Sequence, residues 1–363
     1  MTIVQNFTPT PLGFRPKPRL GFNTRVSFNE VDGPARGLQD GIALYQAAER
    51  LGYQSGWSYQ RHFDNYLSSP LPFFAAVGQH TQRITLGSAV LPMRYQDPIL
   101  LAEAAGTTDL LIGGRLSLAV ATGANAAFDA VFGTVDTDAR TEARRRQARF
   151  LAAVRGEALH LVDGPGQGAP EGTALRVTPH SPGLAARIRQ GVSSIGSAIQ
   201  AAELGIGLIT GTVQHGQDPD ESFSTYQARI ITAYRETWAA LYGTEAPPVA
   251  VAASILPATS ADLRDTYAAY DLERRTLGIA ASRPKGALEP TAQTNAPDGR
   301  QISPVFHGSP DQVTRAVLAD PGLALADELI LFLPPAFALA QNTRLLTDLA
   351  TTVAPAFGWA PAN

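Results

Sequence analysis

Two short polar segments of the sequence contain residue types that bind anions or transfer protons. One is Gln60-Arg61-His62-Phe63, and the other is Ser193-Ser194-Ile195-Gly196-Ser197. An arginine can bind an anion through charge-assisted hydrogen bonds, and a histidine can exchange a proton near neutral pH. Serines that open a helix can help its free N–H groups bind phosphate, although such serines are also ordinary N-caps. The two segments are therefore candidates for a proton carrier and for an anion-binding turn, with an ordinary N-cap as the alternative for the serines.

The elements that position these segments alternate between strand and helix patterns. Short apolar runs predict eight strands, at 19–24, 53–59, 83–90, 115–123, 187–192, 205–210, 248–256 and 327–333. Helical patterns follow them at 38–51, 70–80, 98–112, 138–155, 194–204, 219–242, 262–277 and 337–352. Eight strand–helix units predict an α/β fold, a TIM (β/α)8 barrel, as a single domain over 1–363. Insertions are expected after strands four and seven, at about 156–182 and 280–304.

In such a barrel the residues that end each strand meet at one mouth. Those residues are Asn23, Tyr59 to His62, Ser88 to Val90, Thr122-Gly123, Ser193-Ser194 and Thr210-Gly211. Small residues among them predict a pocket that lets backbone approach a flat aromatic ligand closely. The polar 280–304 segment has no apolar period and is either a lid over this pocket or a surface loop.

Composition excludes several kinds of chemistry. The chain has 363 residues, 44% of them hydrophobic, and no cysteine, so disulfides and thiolate catalysis are excluded. A net charge of -3 gives no reason to expect binding to nucleic acid or to an anionic membrane. The histidines show no metal-ligand spacing, and no metal site is expected. Neither a signal peptide nor an apolar run long enough to span a bilayer is recognisable, which favours a cytoplasmic protein.

The order of motifs from Tyr59 to Gly123 resembles the bacterial luciferase-like family of flavin-dependent monooxygenases. A His-Phe pair follows strand two, GSAVLP follows strand three, LAE lies in the next helix, and GGRLSLAVATG forms strand four. The resemblance implies a two-component monooxygenase. Such an enzyme uses O2 and reduced flavin mononucleotide (FMN), supplied by a separate flavin reductase, on a small organic substrate, and is a homodimer. A deazaflavin (F420)-dependent oxidoreductase of the same superfamily and a non-catalytic flavin-binding protein remain alternatives.

The resemblance also implies roles for individual residues. It places the FMN phosphate at the serine-rich turn and the flavin ring over the end of strand three, with a non-prolyl cis peptide between Ala89 and Val90. The implied cofactor-binding residues are Asn23, Ser88, Ala89, Val90, Thr122, Ser193, Ser194, Gly196 and Ser197. Thr122 occupies a position where the family often has an arginine that shares the phosphate.

The family commonly reads Glu-His-His-Phe where this chain has Gln60-Arg61-His62-Phe63. The first histidine, which serves light-producing members in catalysis, is Arg61 here, so bioluminescence is not expected. Arg61 cannot be a general base, but it can stabilise an anionic reduced flavin or an acidic substrate. His62 is the candidate proton shuttle. The alternatives are an ion pair for Arg61 and a core histidine, bonded to a backbone carbonyl, for His62.

At the opposite end of the barrel, Glu103, Asp109 and Arg115 predict a buried ion pair that supports helix packing. Arg115 opens strand four and therefore lies at the face where retained residues serve stability.

Overall fold

The computed structural model describes residues 18–29, 31–123, 126–133, 138–164, 168–215, 218, 220–277 and 300–362. The strands are β1 (Arg19–Thr24), β2 (Ser55–Ser58), β3 (Thr85–Pro92), β4 (Leu116–Ala121), β5 (His160–Leu161), β6 (Ala174–Leu175), β7 (Ile188–Val192), β8 (Gly207–Thr210), β9 (Val213–His215), β10 (Ala250–Pro257), β11 (Arg300–Ile302), β12 (Val305–Gly308) and β13 (Glu328–Phe332). The α-helices are α1 (Gly33–Arg50), α2 (Pro70–His80), α3 (Pro98–Leu111), α4 (Ala126–Phe132), α5 (Ala139–Val154), α6 (Ile195–Glu203), α7 (Phe223–Tyr242), α8 (Ala261–Leu277), α9 (Pro310–Ala319) and α10 (Leu339–Thr352).

Eight parallel strands close into a barrel, which confirms the predicted fold. Their order is β1-β2-β3-β4-β7-β8-β10-β13, and β13 pairs again with β1. Because all eight strands run the same way, their carboxyl ends share one mouth. In this ring β1 lies directly opposite β7, four strands away in either direction.

The alternation of side chains along each strand separates two apolar layers. Trp57, Ala119, Ile209, Ala250, Ala252 and Ile330 form the packed interior of the barrel. The much larger second cluster lies between the strands and the helices and includes Phe22, Leu86 and Leu331. A residue two positions after an interior residue faces inward again, at the mouth.

Local sequence explains where the barrel helices begin. The Asp97 side chain accepts hydrogen bonds from the N–H groups of Ile99 and Leu100, and Pro98 occupies the first helical position of α3. Ser309 caps α9 in the same way, again with a proline after it. In both helices a capping side chain satisfies free N–H groups of the first turn, and proline fits the first helical position because its missing N–H is not needed there.

None of the helices in the described ranges is long and apolar enough to cross a membrane.

The insertion after strand seven is larger than the sequence predicts. Helix α9, which the sequence analysis missed, packs on β10 and is the seventh barrel helix. The predicted helix 262–277 is α8, an additional helix whose Arg274 side chain reaches the end of β13. Residues 300–302 pair with β9 as β11. The proposed lid segment is 280–304, and its residues 280–299 lie outside the described residues. After strand four, β5 and β6 form a short hairpin within 156–182.

The predicted ion pair at the amino end exists, but its partners differ from those expected. Asp109 is fully buried and bonds Arg187 at 2.6 Å, and it also accepts from Ser181 at 2.5 Å. Arg115 instead donates to the carbonyls of residues 78, 81, 84 and 112. These four carbonyl groups take the place of a carboxylate because Arg115 lies where two helix–strand connections end. The prediction that Arg115 belongs to the buried ion pair was therefore wrong.

Candidate active site at the barrel mouth

Two polar side chains at the mouth, one on β1 and one on β10, flank Phe332 on the intervening strand β13 and have unpartnered oxygen atoms. Asn23 on β1 is in register with Phe332 on β13, and Ser254 on β10 lies beside Phe332. All three face inward, since Ala252 and Ile330, two residues earlier on their strands, are in the barrel interior. The Asn23 Oδ1 and Ser254 Oγ atoms are buried and have no partner. Buried polar atoms are normally satisfied, so these two atoms are candidates for hydrogen bonds to a ligand.

The end of β3 supplies a floor of small side chains. The peptide bond between Ala89 and Val90 is cis, as the family resemblance implied. The register with β4 shifts between Ala89 and Leu91, and both Ala89 and Val90 pack against the barrel interior. Val90 reaches across to Gly191 on β7, where an added Cβ would lie 2.5 Å from Val90 Cγ1. This floor joins strand three to the strand that leads into the serine-rich turn.

The serine-rich turn opens α6 at the same rim. Ser194 is the N-cap, its hydroxyl accepting from the Ser197 N–H, and the Ser197 hydroxyl accepts from the Ser194 N–H. Both hydroxyls are therefore engaged in a capping box. The Ser193 hydroxyl makes no hydrogen bond within the described part of the chain. Apart from chain neighbours and the backbone of α6 itself, no atom of the described residues lies within 4 Å of a Cβ placed on Gly196 or Gly211, which leaves open space beside the turn.

His62 lies in an aromatic cage at the rim. Ring centroids of Phe63, Tyr95, Phe128 and Phe132 lie 4.9 to 6.4 Å from that of His62, with Phe132 closest. Burial lowers the pKa of the imidazole below its usual 6.5, because the charged form loses water. The Nε2 atom is buried without a partner. His62 is therefore a neutral imidazole at pH 7 with one nitrogen free to act on a ligand.

Arg61 is paired within its own loop. Its Nε donates to Asp64 Oδ2 at 2.7 Å, and the Asp64 side chain is only 1% exposed. The guanidinium also lies 5.7 Å from the Phe128 ring centre. Arg61 and His62 line a cavity of about 120 Å³ together with Val90 and Tyr95. The charge of Arg61 is compensated before any ligand enters.

Of the predicted site residues, Arg61, His62 and Val90 line this cavity, and the other predicted cofactor-binding residues do not. Ser88 faces the helix layer, where its hydroxyl donates to the Ala119 carbonyl at 3.4 Å. Thr122 ends strand four at the rim, and its carbonyl accepts from the Arg94 N–H. A larger cavity of about 400 Å³ lies beside the starts of α1 and α10 rather than over the floor. Among the described residues, no cluster of His, Asp and Glu could hold a metal ion.

Sequence reasoning missed several residues of the mouth. Arg25 follows β1 and stacks on Tyr59, with 4.0 Å between its Cζ and the ring centre. Arg274 on α8 and Gln214 on β9 are buried and carry unpartnered nitrogen or oxygen atoms. Helix α4 supplies Phe128 and Phe132 to the cage. Arg25 could have been found from the sequence, because it lies two residues after Asn23 and side chains two apart on a strand share a face. The other residues belong to inserted elements, and the strand pattern does not predict where those elements lie.

Comparison with known proteins identifies the family. Residues 21–323 match the sequence profile of the luciferase-like monooxygenases. The chain is 31% identical over 140 residues to 4-hydroxyprotoasukamycin monooxygenase of Streptomyces nodosus subsp. asukaensis, covering 36% of this chain and 37% of that protein. It is 34% identical over 85 residues to the oxygenase component of the flavin-dependent trigonelline monooxygenase of Acinetobacter baylyi, covering 23% and 24%. These matches span about a quarter to a third of the relatives' lengths.

Solved structures share the whole fold. The oxygenating constituent of 3,6-diketocamphane monooxygenase from Pseudomonas putida, in complex with FMN, superposes with a TM-score of 0.68 at 16% identity, covering 93% of this chain and 98% of that one. An F420-dependent secondary alcohol dehydrogenase in complex with an F420-acetone adduct gives a TM-score of 0.66 at 12% identity, covering 94% and 99%. At these identities the likeness concerns the fold alone. The profile match spans most of the chain, and this protein therefore belongs to the luciferase-like monooxygenase family.

Proposed function

We propose that the chain is the oxygenase component of a two-component, FMN-dependent monooxygenase. The observation that carries the proposal is the open mouth between the serine-rich turn and the Ala89–Val90 floor, rimmed by the unpartnered atoms of Asn23 and His62. A planar, polar-edged ligand would fill that space and satisfy those atoms. Reduced FMN would come from a separate reductase, and the trigonelline monooxygenase relative is by name an oxygenase component.

The residues present fit FMN. Ser193, Gly196 and the first N–H groups of α6 would hold the phosphate at the positive end of the helix dipole. Ala89 and Val90 would support the ring, and Asn23 would accept a hydrogen bond from its polar edge. Ser194 and Ser197 would act by fixing the turn, because their hydroxyls already cap the helix. When bound, the reduced cofactor supplies the electrons that activate O2.

His62 would be the catalytic residue that moves a proton at Nε2. Its low pKa keeps it neutral, so it is ready to accept a proton. Arg61 would be a positioning residue. Its ion pair with Asp64, three residues later in the chain, would fix the conformation of the loop that carries His62. The cage of aromatic rings would exclude water from the reacting groups.

An F420-dependent oxidoreductase is the second candidate, because the fold is shared with an F420-dependent alcohol dehydrogenase. The first test is to titrate the purified protein with FMN and with F420 and to follow flavin fluorescence. Tighter binding of FMN, and substrate-dependent O2 uptake when a flavin reductase and NADH are added, support the monooxygenase. Preference for F420 supports the second candidate. Bound FMN without O2 uptake on any substrate indicates a flavin-binding protein.

The remaining expectations belong to the same proposal. A small organic molecule would be the substrate, and the enzyme would work as a homodimer in the cytoplasm. Sedimentation measurements on the purified protein, with and without FMN, would test the dimer directly.

A further inference from the structure

Helix α8 places a charged side chain in the interior of the mouth without an ionic partner. Arg274 is 2% exposed, and its Nε and Nη1 atoms have no hydrogen-bond partner. Its one hydrogen bond within the described ranges runs from Nη2 to the Ser303 hydroxyl at 3.3 Å. A guanidinium stays charged at any pH that a protein tolerates, so neutralisation by proton loss is not available to it.

A second guanidinium lies on the same aromatic ring. The Cζ atom of Arg274 is 5.7 Å from the centre of the Phe332 ring, and that of Arg25 is 5.2 Å from it. The Arg25 Nε atom is also buried without a partner. Neither arginine makes an ion pair with a carboxylate in the part of the chain that the structure describes. Two like charges at one ring repel each other, and Arg274, which is buried, has also lost its water.

Two other arginines are compensated by carboxylates. Arg94 is 1% exposed and bonds Asp129 at 2.6 Å, and the Arg187 side chain, which is 30% exposed, bonds the fully buried Asp109. A buried charge without a partner is costly, and proteins keep one where a ligand supplies the opposite charge. The unpartnered Ser254 hydroxyl, inward-facing beside Phe332, adds a neutral donor to the same place.

We propose that Arg25 and Arg274 bind the carboxylate of the substrate, so that the substrate class is a small organic acid. This inference rests on the proposed function. The arginine site is separate from the turn proposed for the FMN phosphate, because β1 and β7 lie on opposite sides of the ring. The aromatic rings of Tyr59 and Phe332 lie against the guanidinium groups, so the surroundings of the charges are apolar and favour an apolar body attached to the carboxylate.

The test measures binding of benzoate and of benzamide, its neutral analogue of the same shape, to the purified chain by calorimetry. We expect benzoate to bind at least tenfold more tightly, with an affinity that falls as salt is raised. Arg274→Met should weaken benzoate binding by about 100-fold and leave benzamide binding unchanged. The control is Arg275→Gln, which changes an exposed arginine paired with Asp271 at 2.8 Å on the same helix and should leave benzoate binding intact.

Stability separates a binding role from a structural one. Without ligand, Arg274→Met should melt at or above the temperature of the parent protein, because it removes an uncompensated buried charge. Equal affinities for benzoate and benzamide, or a lower melting temperature of the variant with unchanged benzoate binding, would overturn the proposal. The benzoate–benzamide comparison on the parent protein needs no variant, so it decides the question even where Arg274→Met does not fold.

Titration with FMN and riboflavin separates this proposal from the proposed function. Benzoate discrimination without FMN binding retains the acid site and refutes the flavin monooxygenase. FMN binding without benzoate discrimination refutes the acid site alone. If Arg274→Met weakens binding of FMN but not of riboflavin, the anion held there is the flavin phosphate, and the substrate carboxylate is refuted.

Discussion

The two ends of the barrel differ in whether their buried polar groups have hydrogen-bond partners. At the amino end, Asp109 bonds Arg187, Ser181 and a backbone N–H, and Glu328 on β13 bonds Arg189 and Ser55. At the carboxyl end, buried atoms of asparagine, serine, histidine and arginine side chains have no partner. The same strands supply both ends.

This difference separates stability from function within one scaffold. Satisfied buried groups contribute to folding, and an unsatisfied group costs free energy that only a ligand recovers. The amino end therefore fixes the barrel, and under the proposed function the unpartnered atoms at the mouth bind the substrate and the cofactor.

The largest effect on stability is expected at Asp109. Asp109→Asn removes a carboxylate that is fully buried and leaves Arg187 without its ionic partner. Breaking such a pair should lower the free energy of unfolding by about 3 kcal/mol, measured by urea denaturation. FMN affinity of the folded variant should be unchanged. Asp40→Asn, in an exposed pair with Arg36, is the control and should cost less than about 1 kcal/mol. A large loss of FMN affinity in Asp109→Asn would contradict the separation of the two ends.

At the mouth, the largest effect on turnover is expected at His62. His62→Gln should lower kcat by about 100-fold, because the proton carrier is lost, with little change in FMN affinity. In the parent enzyme, burial lowers the pKa below 6.5, so kcat should fall as pH drops through that lower value. A pH–rate profile of both proteins tests this, and equal kcat values would exclude a proton-transfer role.

His62 also gives stability a pH dependence of known sign. Its folded-state pKa lies below the unfolded value of 6.5, so the unfolded chain binds more protons there. Stability is thus fully present above pH 6.5 and decreases as pH falls through the lower folded pKa. His62→Gln should unfold with a flatter dependence between pH 7 and pH 5 in urea titrations.

The sequence predicts the barrel well because its signals are local. Strand β1 and helix α2 have the predicted bounds, and the strand ends that meet at the mouth follow from topology. The cis peptide after Ala89 came from the family resemblance, since nothing in the residue types requires it. The arginine site could not be predicted in this way. Arg274 belongs to an inserted helix whose amphipathic pattern resembles that of a barrel helix, and the pattern does not tell which partner it packs against.

The predicted phosphate site shows a second limit of sequence reasoning. The same serines satisfy both a capping box and an anion-binding turn, and only coordinates tell which hydroxyls are engaged. Arg61 has a similar ambiguity, because the buried carboxylate that compensates it lies three residues away in a loop without periodicity. The residue types therefore identify candidate side chains, but the sequence does not show which hydrogen bonds those side chains already make.

Substitutions of Gly211, which borders open space at the mouth, should have a smaller effect that is confined to FMN affinity. Gly211→Ala and Gly211→Val add side chains where, apart from the chain neighbours of Gly211, no described atom lies within 4 Å, so the free energy of unfolding should stay within about 0.5 kcal/mol of the parent value. FMN affinity should fall with side-chain size, by roughly tenfold for valine, because the added methyls occupy the cofactor's space. Fluorescence titration measures it. Affinity that is the same across the series would place FMN elsewhere.

The smallest expected change in FMN affinity is that of Ser194→Ala, and it tests whether the serine-rich turn binds phosphate or only caps α6. Ser194→Ala removes the N-cap of α6, and Ser309→Ala removes the same kind of cap from α9, on the seventh barrel helix. Each should lower the free energy of unfolding by about 1 kcal/mol, since both lose a capping box. Only Ser194→Ala should also weaken FMN binding, by less than tenfold, while leaving riboflavin binding unchanged. Because the two variants lose equal stability, any difference in FMN affinity between them comes from the turn itself; equal FMN affinities would show that the serine-rich turn is only a helix cap.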